Sequence, residues 1–257
     1  MKKKQIQGWA KWFILLFFIA ANIVPSSAAA AKQGSPSSSK RVIVAFGDSN
    51  TQGTNWPINK YDAKSKWVTR LQQTRTVINA GVGGNTTEHG RKRFSKDVLS
   101  KKPKAVIIMF GTNDAVLNAK GQPRVSKARF ESNLKYFTDT LKARNIHVIL
   151  MTTIPVIQGN GQNDYYYARY DQRLYTKYNG ARQWHNSYNA IVRKVAKQKK
   201  VTLIDNYEIM TSSMKGITDR KLIDSGWIDS SGTHLTPQGA DVIYRSVSSV
   251  LTAKLGK

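Results

Sequence analysis

Short apolar runs recur along the chain at the length of buried strands: "RVIVAF" (41–46), "TVIN" (76–79), "KAVIIMF" (104–110), "IHVILMT" (146–152) and "VTLID" (201–205). They are nearly continuous rather than alternating, which predicts strands covered on both faces. Between them the spacing switches to that of a helix. Phe130, Leu134, Phe137 and Leu141 stand four, three and four apart and predict a helix over 126–144. Tyr188, Ile191, Val192 and Val195 mark one face of another, and Ala240, Ile243, Val247 and Val250 one face of a third. The third follows "THLTPQG", where Thr236 suits the N-cap and Pro237 the first helical position. Five buried strands separated by helices predict an α/β fold, a five-stranded parallel sheet with helices on both faces.

In an open parallel sheet, ligands bind outside the carboxyl ends of the strands. The loops leaving those ends of the first three strands are "GDSNTQG", "AGVGGNTTEHG" and "GTNDA", all rich in glycine and small polar residues. Each has a plain use as a turn. Together they also offer what acyl transfer needs beyond a base, a nucleophile and donors aimed at a developing oxyanion. Ser49 is the candidate nucleophile, with its own N–H a donor. Gly84 offers a second backbone N–H, and Asn113 a side-chain amide.

Four blocks, "GDSN" (47–50), "NAGVGGNT" (79–86), "GTND" (111–114) and "GTHLTPQG" (232–239), resemble in order those of the SGNH/GDSL hydrolases, exported members of which include esterases and lipases. The resemblance spans about residues 41–252. It implies a three-layer, flavodoxin-like α/β fold and carries the family's four named residues onto Ser49, Gly84, Asn113 and His234. His234 thereby becomes the expected base ahead of His89, His147 and His185. The sequence lacks the second glycine of the G-x-S-x-G elbow used by α/β-hydrolases.

The family pattern breaks at one point. The acid that orients the histidine ordinarily stands three residues before it, where this chain has Ser231. Asp229, five before, is the expected orienting acid if the loop bulges. A main-chain carbonyl near Ser231 is the alternative. Asp48 and Asp114 are expected to hydrogen-bond within their own loops. Between the fourth and fifth strands, residues 155–184 make a long, tyrosine-dense connection, and Tyr165, Tyr166, Tyr167, Arg169 and Tyr170 are candidate substrate contacts.

Composition narrows the setting. The 257 residues and 40% hydrophobic content suit one sizeable domain. Residues 1–31 have a basic start, a thirteen-residue apolar run (12–24) and a small-residue A-x-A stretch, the pattern of a secretory signal peptide. An uncleaved anchor is the rival reading, but thirteen residues are short for a span. A polar linker (32–40) then precedes the hydrolase domain (41–257). The signal holds four of the 41 basic residues and none of the 15 acidic ones, so the remainder carries +22. Such a surface attracts polyanions, and for an exported protein the expected partner is an anionic cell-wall polymer rather than nucleic acid, for which no binding motif occurs. There is no cysteine, hence no disulfide. Nothing calls for a cofactor, and no metal-ligand spacing occurs.

The expectation is therefore a secreted serine esterase, attached to the cell wall through its charge, that removes short acyl groups, O-acetyl foremost, from a carbohydrate polymer. A lipase or lysophospholipase, an O-acyltransferase, and a non-catalytic polyanion-binding wall protein are the alternatives.

Overall fold

The computed structural model describes residues 41–54, 62–159 and 170–256. The expected signal peptide and linker, and Tyr165, Tyr166, Tyr167 and Arg169, lie outside them. The elements run in the order β1 (Ile43–Gly47), α1 (Ser49–Gln52), α2 (Trp67–Gln72), β2 (Val77–Gly81), α3 (Thr87–Asp97), β3 (Ala105–Met109), α4 (Lys127–Lys142), β4 (His147–Met151), α5 (Gln172–Tyr175), α6 (Ala181–Lys199), β5 (Thr202–Ile204), α7 (Asn206–Thr211), α8 (Asp219–Asp224) and α9 (Pro237–Leu255). The five apolar runs are the five strands, with bounds shifted by one or two residues.

All strand pairs are parallel and the order is β2-β1-β3-β4-β5. The chain leaves β1 toward one edge and returns past it to β3, so the order reverses between β1 and β3. That reversal opens a crevice at the carboxyl ends of these two strands, the usual ligand position in a sheet of this order. Ser49 follows one of them and Asn113 the other.

Buried strands need cover on both faces, and successive residues face opposite ways. Val44 and Phe46 of β1, with Val106 and Ile108 of β3, enter the core shared with α3, α4 and α6. There Phe46 meets Phe110 edge-on at 5.1 Å and Phe137 at 5.6 Å between ring centroids. Ile43, Ala45, Ile107 and Met109 enter the other core with Trp67, Ile243, Val247 and Leu251 from α2 and α9. The apolar stripes legible at 3.6-residue spacing are thus the buried stripes of α4, α6 and α9. Ser126 caps α4 by accepting from Arg129 N, and Thr236 caps α9 by accepting from Gly239 N, with Pro237 at its first position.

Candidate active site

The nucleophile candidate stands where β1 turns at once into α1. Gly47 makes the turn possible, because a Cβ there would lie 2.1 Å from Thr51 Oγ1 and 2.5 Å from Met109 O. Asp48 is the N-cap and accepts from Asn50 N at 3.0 Å. Ser49 is the first helical residue, so its N–H belongs to the group that a helix leaves without an internal acceptor. Trp67 Nε1 donates to Asn50 O at 2.8 Å and steadies the short helix from below.

The histidine arrives from 185 residues away. Ile228 and Leu235 form an isolated antiparallel bridge, and Asp229 N donates to His234 O at 2.8 Å. Between them the chain makes a turn closed by Gly232 N donating to Asp229 O at 2.9 Å, with Gly232 at φ +73°. Asn50 Nδ2 donates to Thr233 O at 3.0 Å, tying this turn to the nucleophile's helix. The result places His234 Nε2 3.0 Å from Ser49 Oγ, both groups buried.

On its far side His234 Nδ1 lies 2.9 Å from Ser231 Oγ, and that hydroxyl lies 2.5 Å from Asp229 Oδ1. The loop does bulge, but Asp229 does not turn toward the ring. Its Oδ1 folds back on its own turn to accept from Ser231 N at 2.9 Å as well, an Asx-turn. Among the described residues the group at Nδ1 is neither of the two expected, a direct carboxylate or a main-chain carbonyl, but the Ser231 hydroxyl. A serine hydroxyl stands between acid and imidazole.

The other two oxyanion-donor candidates stand in the loops after β2 and β3. Asn113 Nδ2 donates to Asn85 O at 3.0 Å and lies 3.5 Å from Asp48 Oδ2, so its amide is held in a fixed plane beside the nucleophile's loop. Gly84 has φ +73°, a conformation open to glycine, and a Cβ there would meet nothing within 4 Å. Among the described residues its N–H has no hydrogen-bond acceptor. Gly83 beside it is fixed by donating to Gln52 Oε1 at 2.8 Å, and a Cβ on Gly83 would lie 4.0 Å from Ser49 Cβ.

Two carboxylates are buried under these loops. Burial pushes Asp48 up to about 7, with repulsion from Asp114 adding to it and the hydrogen bond from Asn50 N opposing it. Burial likewise pushes Asp114 up to about 6, against the hydrogen bonds from Thr87. Asp114 was expected to serve its own loop. Instead its Oδ1 accepts from Thr87 N at 2.9 Å and Thr87 Oγ1 at 2.5 Å, fastening the start of α3 to the β3 loop.

A model of the GDSL-like lipase/acylhydrolase family matches residues 45–242. The chain belongs to this family. An uncharacterized lipoprotein, YqeF, of Bacillus subtilis is 48% identical over 211 residues, covering 80% of this chain and 87% of that one. An acetylxylan esterase of Geobacillus stearothermophilus is 25% identical over 143 residues, 54% of this chain and 58% of the relative. A solved GDSL-like lipase from Bacteroides thetaiotaomicron superposes with a TM-score of 0.62 at 23% identity, over 84% of this chain and 89% of that one, a likeness of fold. The protein is accordingly a serine hydrolase of GDSL type that acts on carboxylic ester bonds.

Within this acylhydrolase the other histidines have different work. His89 Nδ1 caps α3, 2.8 Å from Thr86 Oγ1 and 3.2 Å from Thr86 N. His185 is buried against Tyr170 and Tyr175 with Nδ1 2.8 Å from Ala181 O, and His147 is exposed at the opposite end of the sheet. Tyr170 is itself a core residue, 4% exposed and edge-on to Tyr175, because its ring fills the space beside α6. Among the candidate substrate contacts it is the one described, and its buried ring is no exposed contact.

Arg93 lies in a basic run, "RKR" (91–93), that by sequence alone looks like surface charge. Its guanidinium donates to Gly47 O, Ala80 O and Asn85 Oδ1 at 2.7–2.8 Å and pairs with Asp97, locking the ends of β1 and β2 to the loop that follows β2. No spacing rule announces such a residue. Ser231, which by sequence only marks where the family's acid is missing, gets its role from the neighbours that the turn gives it.

Proposed function

We propose that this acylhydrolase removes short acyl groups, O-acetyl foremost, from a carbohydrate polymer outside the cytoplasm. The reading is carried by the 3.0 Å contact between Ser49 Oγ and His234 Nε2 at the mouth of the β1–β3 crevice. His234 takes the Ser49 proton as the oxygen attacks the ester carbonyl. The N–H groups of Ser49 and Gly84 and the Asn113 amide hold the oxyanion, and the imidazolium returns the proton to the departing alcohol. Water, activated by the same imidazole, then releases the acid and frees Ser49. The acetylxylan esterase among the relatives supports an acetylated sugar as substrate.

An extracytoplasmic setting is supported by the signal-like residues 1–31 and by the lipoprotein relative. This chain has no cysteine, so a thiol-linked lipid has no acceptor in it. What supports an anionic polymer as a partner is the distribution of charge at the amino ends of the strands, opposite the crevice. Arg75, Lys102, Lys104, Arg144, Lys200 and Lys254 lie there, next to β2, β3, β4, β5 and the end of α9. A cavity of about 470 Å³ between the starts of β4 and β5 is lined by Lys142, His147, Lys200 and Lys254, and among the described residues no acidic one is in its wall. Binding by this base leaves the catalytic edge free.

The test is a series of p-nitrophenyl esters of increasing chain length beside acetate release from acetylated polysaccharides. The proposal expects the acetyl ester to be preferred and polymer-bound acetate to be released, with both activities lost in folded Ser49→Ala. Preference for long acyl chains, or no release from any polysaccharide, turns the reading toward a lipase or lysophospholipase.

A further inference from the structure

The hydroxyl between His234 and Asp229 has a consequence for the direction of every hydrogen bond in the chain that ends at Ser49. A serine hydroxyl has one proton to donate and two lone pairs to accept with. Around Ser231 Oγ stand Asp229 Oδ1 at 2.5 Å, His234 Nδ1 at 2.9 Å, Thr233 N at 3.3 Å and, furthest, the Thr233 hydroxyl at 3.4 Å, which can turn its own proton elsewhere. An ionised carboxylate can only accept, so it takes the one proton of Ser231. Thr233 N–H can only donate. His234 Nδ1 must then donate to Ser231 Oγ as well, which puts the ring proton on Nδ1 and leaves the Nε2 lone pair facing Ser49 Oγ at 3.0 Å. That is the tautomer a general base needs.

We propose that Ser231 is a positioning residue that relays the Asp229 carboxylate to His234, replacing the direct acid–histidine contact with a Ser49–His234–Ser231–Asp229 chain. The inference rests on the esterase reading above. It accounts for a buried carboxylate that would otherwise be costly. Asp229 is 1% exposed, and its Oδ2 has no hydrogen-bond partner among the described residues. A carboxylate with one idle buried oxygen is unfavourable as a mere turn former, where a neutral Asn accepting on one oxygen would serve. Its negative charge has a use if it orients the Ser231 proton and, through it, supports the imidazolium formed in each half of the reaction. Removing the carboxylate frees the Ser231 hydroxyl to donate to Nδ1 instead. That reversal moves the ring proton to Nε2, the tautomer that cannot accept from Ser49.

The test uses p-nitrophenyl acetate turnover against pH, together with the ¹⁵N spectrum of labelled histidine in the wild-type protein. Ser231→Ala is expected to lower kcat on the order of 10²-fold or more with little change in KM. It should also move the acid limb of kcat/KM to lower pH, because the imidazolium loses its link to Asp229. A purely structural serine would leave that limb in place. The exchange Ser231→Asp with Asp229→Ser, which puts the carboxylate next to the ring, should recover most of the lost turnover and move the limb back up. The wild-type spectrum should show neutral His234 protonated on Nδ1. Near-normal kcat in folded Ser231→Ala with an unmoved limb overturns the relay, and so does a ring protonated on Nε2. If Ser231→Ala does not fold, the wild-type spectrum alone decides. Failure of the esterase reading is distinguishable, since it appears as hydrolysis persisting in Ser49→Ala.

Discussion

Asp114→Asn removes a buried charge while keeping the shape and the accepting oxygen of the side chain. Oδ1 goes on receiving Thr87 N and Oγ1, and the amide nitrogen takes the place of Oδ2, which has no partner among the described residues. Asp114 is raised from 3.8 to about 6, with burial outweighing the Thr87 bonds. A carboxyl whose folded value lies above its unfolded one favours the folded state when protonated. Its contribution is fully present below about pH 3.8 and is lost as the pH rises through about 6. The loss is about 3 kcal/mol at pH 8, roughly half of that at pH 5 and small at pH 4, using about 1.4 kcal/mol per unit. Asn cannot ionise, so the variant escapes it. Its stability advantage over wild type should grow by those amounts from acid to pH 8. Asp48, raised further to about 7 and repelled by Asp114, relaxes a little in the variant and adds in the same direction. Urea unfolding at five pH values from 4 to 8 reads the difference directly. A gap independent of pH would mean that the substitution acts through packing. A gap that reverses as the pH rises would mean that the Thr87 bonds and the start of α3 hold the carboxylate ionised, refuting the reasoning.

Asn113→Ala should cost about 10²- to 10³-fold in kcat, the loss of one preorganised oxyanion donor; a change confined to KM would make it a binding residue. Gly81→Ala forces a Cβ to 2.2 Å from Gln52 N and 2.6 Å from Thr51 C, so α1 must move. Overpacking of this kind costs about 1–3 kcal/mol, and it should reduce turnover more than a conservative core change of equal stability cost. Normal kcat in a folded variant would show that Ser49 tolerates displacement. Retention on purified cell wall should fall steeply with salt and in Lys200→Glu with Lys254→Glu, while turnover of a small neutral ester hardly changes. Retention at about 1 M salt, where the screening length is about 3 Å, would contradict electrostatic attachment.

The strands and the long helices were legible because their signal is local. A run such as Val42 to Phe46 must be buried on both faces wherever it lies, and the stripe Phe130, Leu134, Phe137, Leu141 can be buried by a helix and by little else. The pairing of Ser49 with His234 was legible for a different reason, since each stands in a short block whose order along the chain identifies the family. What the sequence could not convey is direction. Asp229 lies five residues before His234 in any conformation, yet whether its carboxylate meets the ring depends on a turn closed by Gly232, and that turn points it at Ser231. Arg93 looks like surface charge until the fold brings Gly47, Ala80 and Asn85 around it. Tyr170, in a tyrosine-dense segment, is a core ring because α6 packs there. Periodicity determines which residues must leave water, a property of each residue and its near neighbours. Hydrogen-bond partners separated by tens to hundreds of positions are chosen only when the packed elements set the distances, and it is at that stage that His234 meets Ser49 and Arg93 meets Gly47, while the acid side depends on the conformation of one local turn.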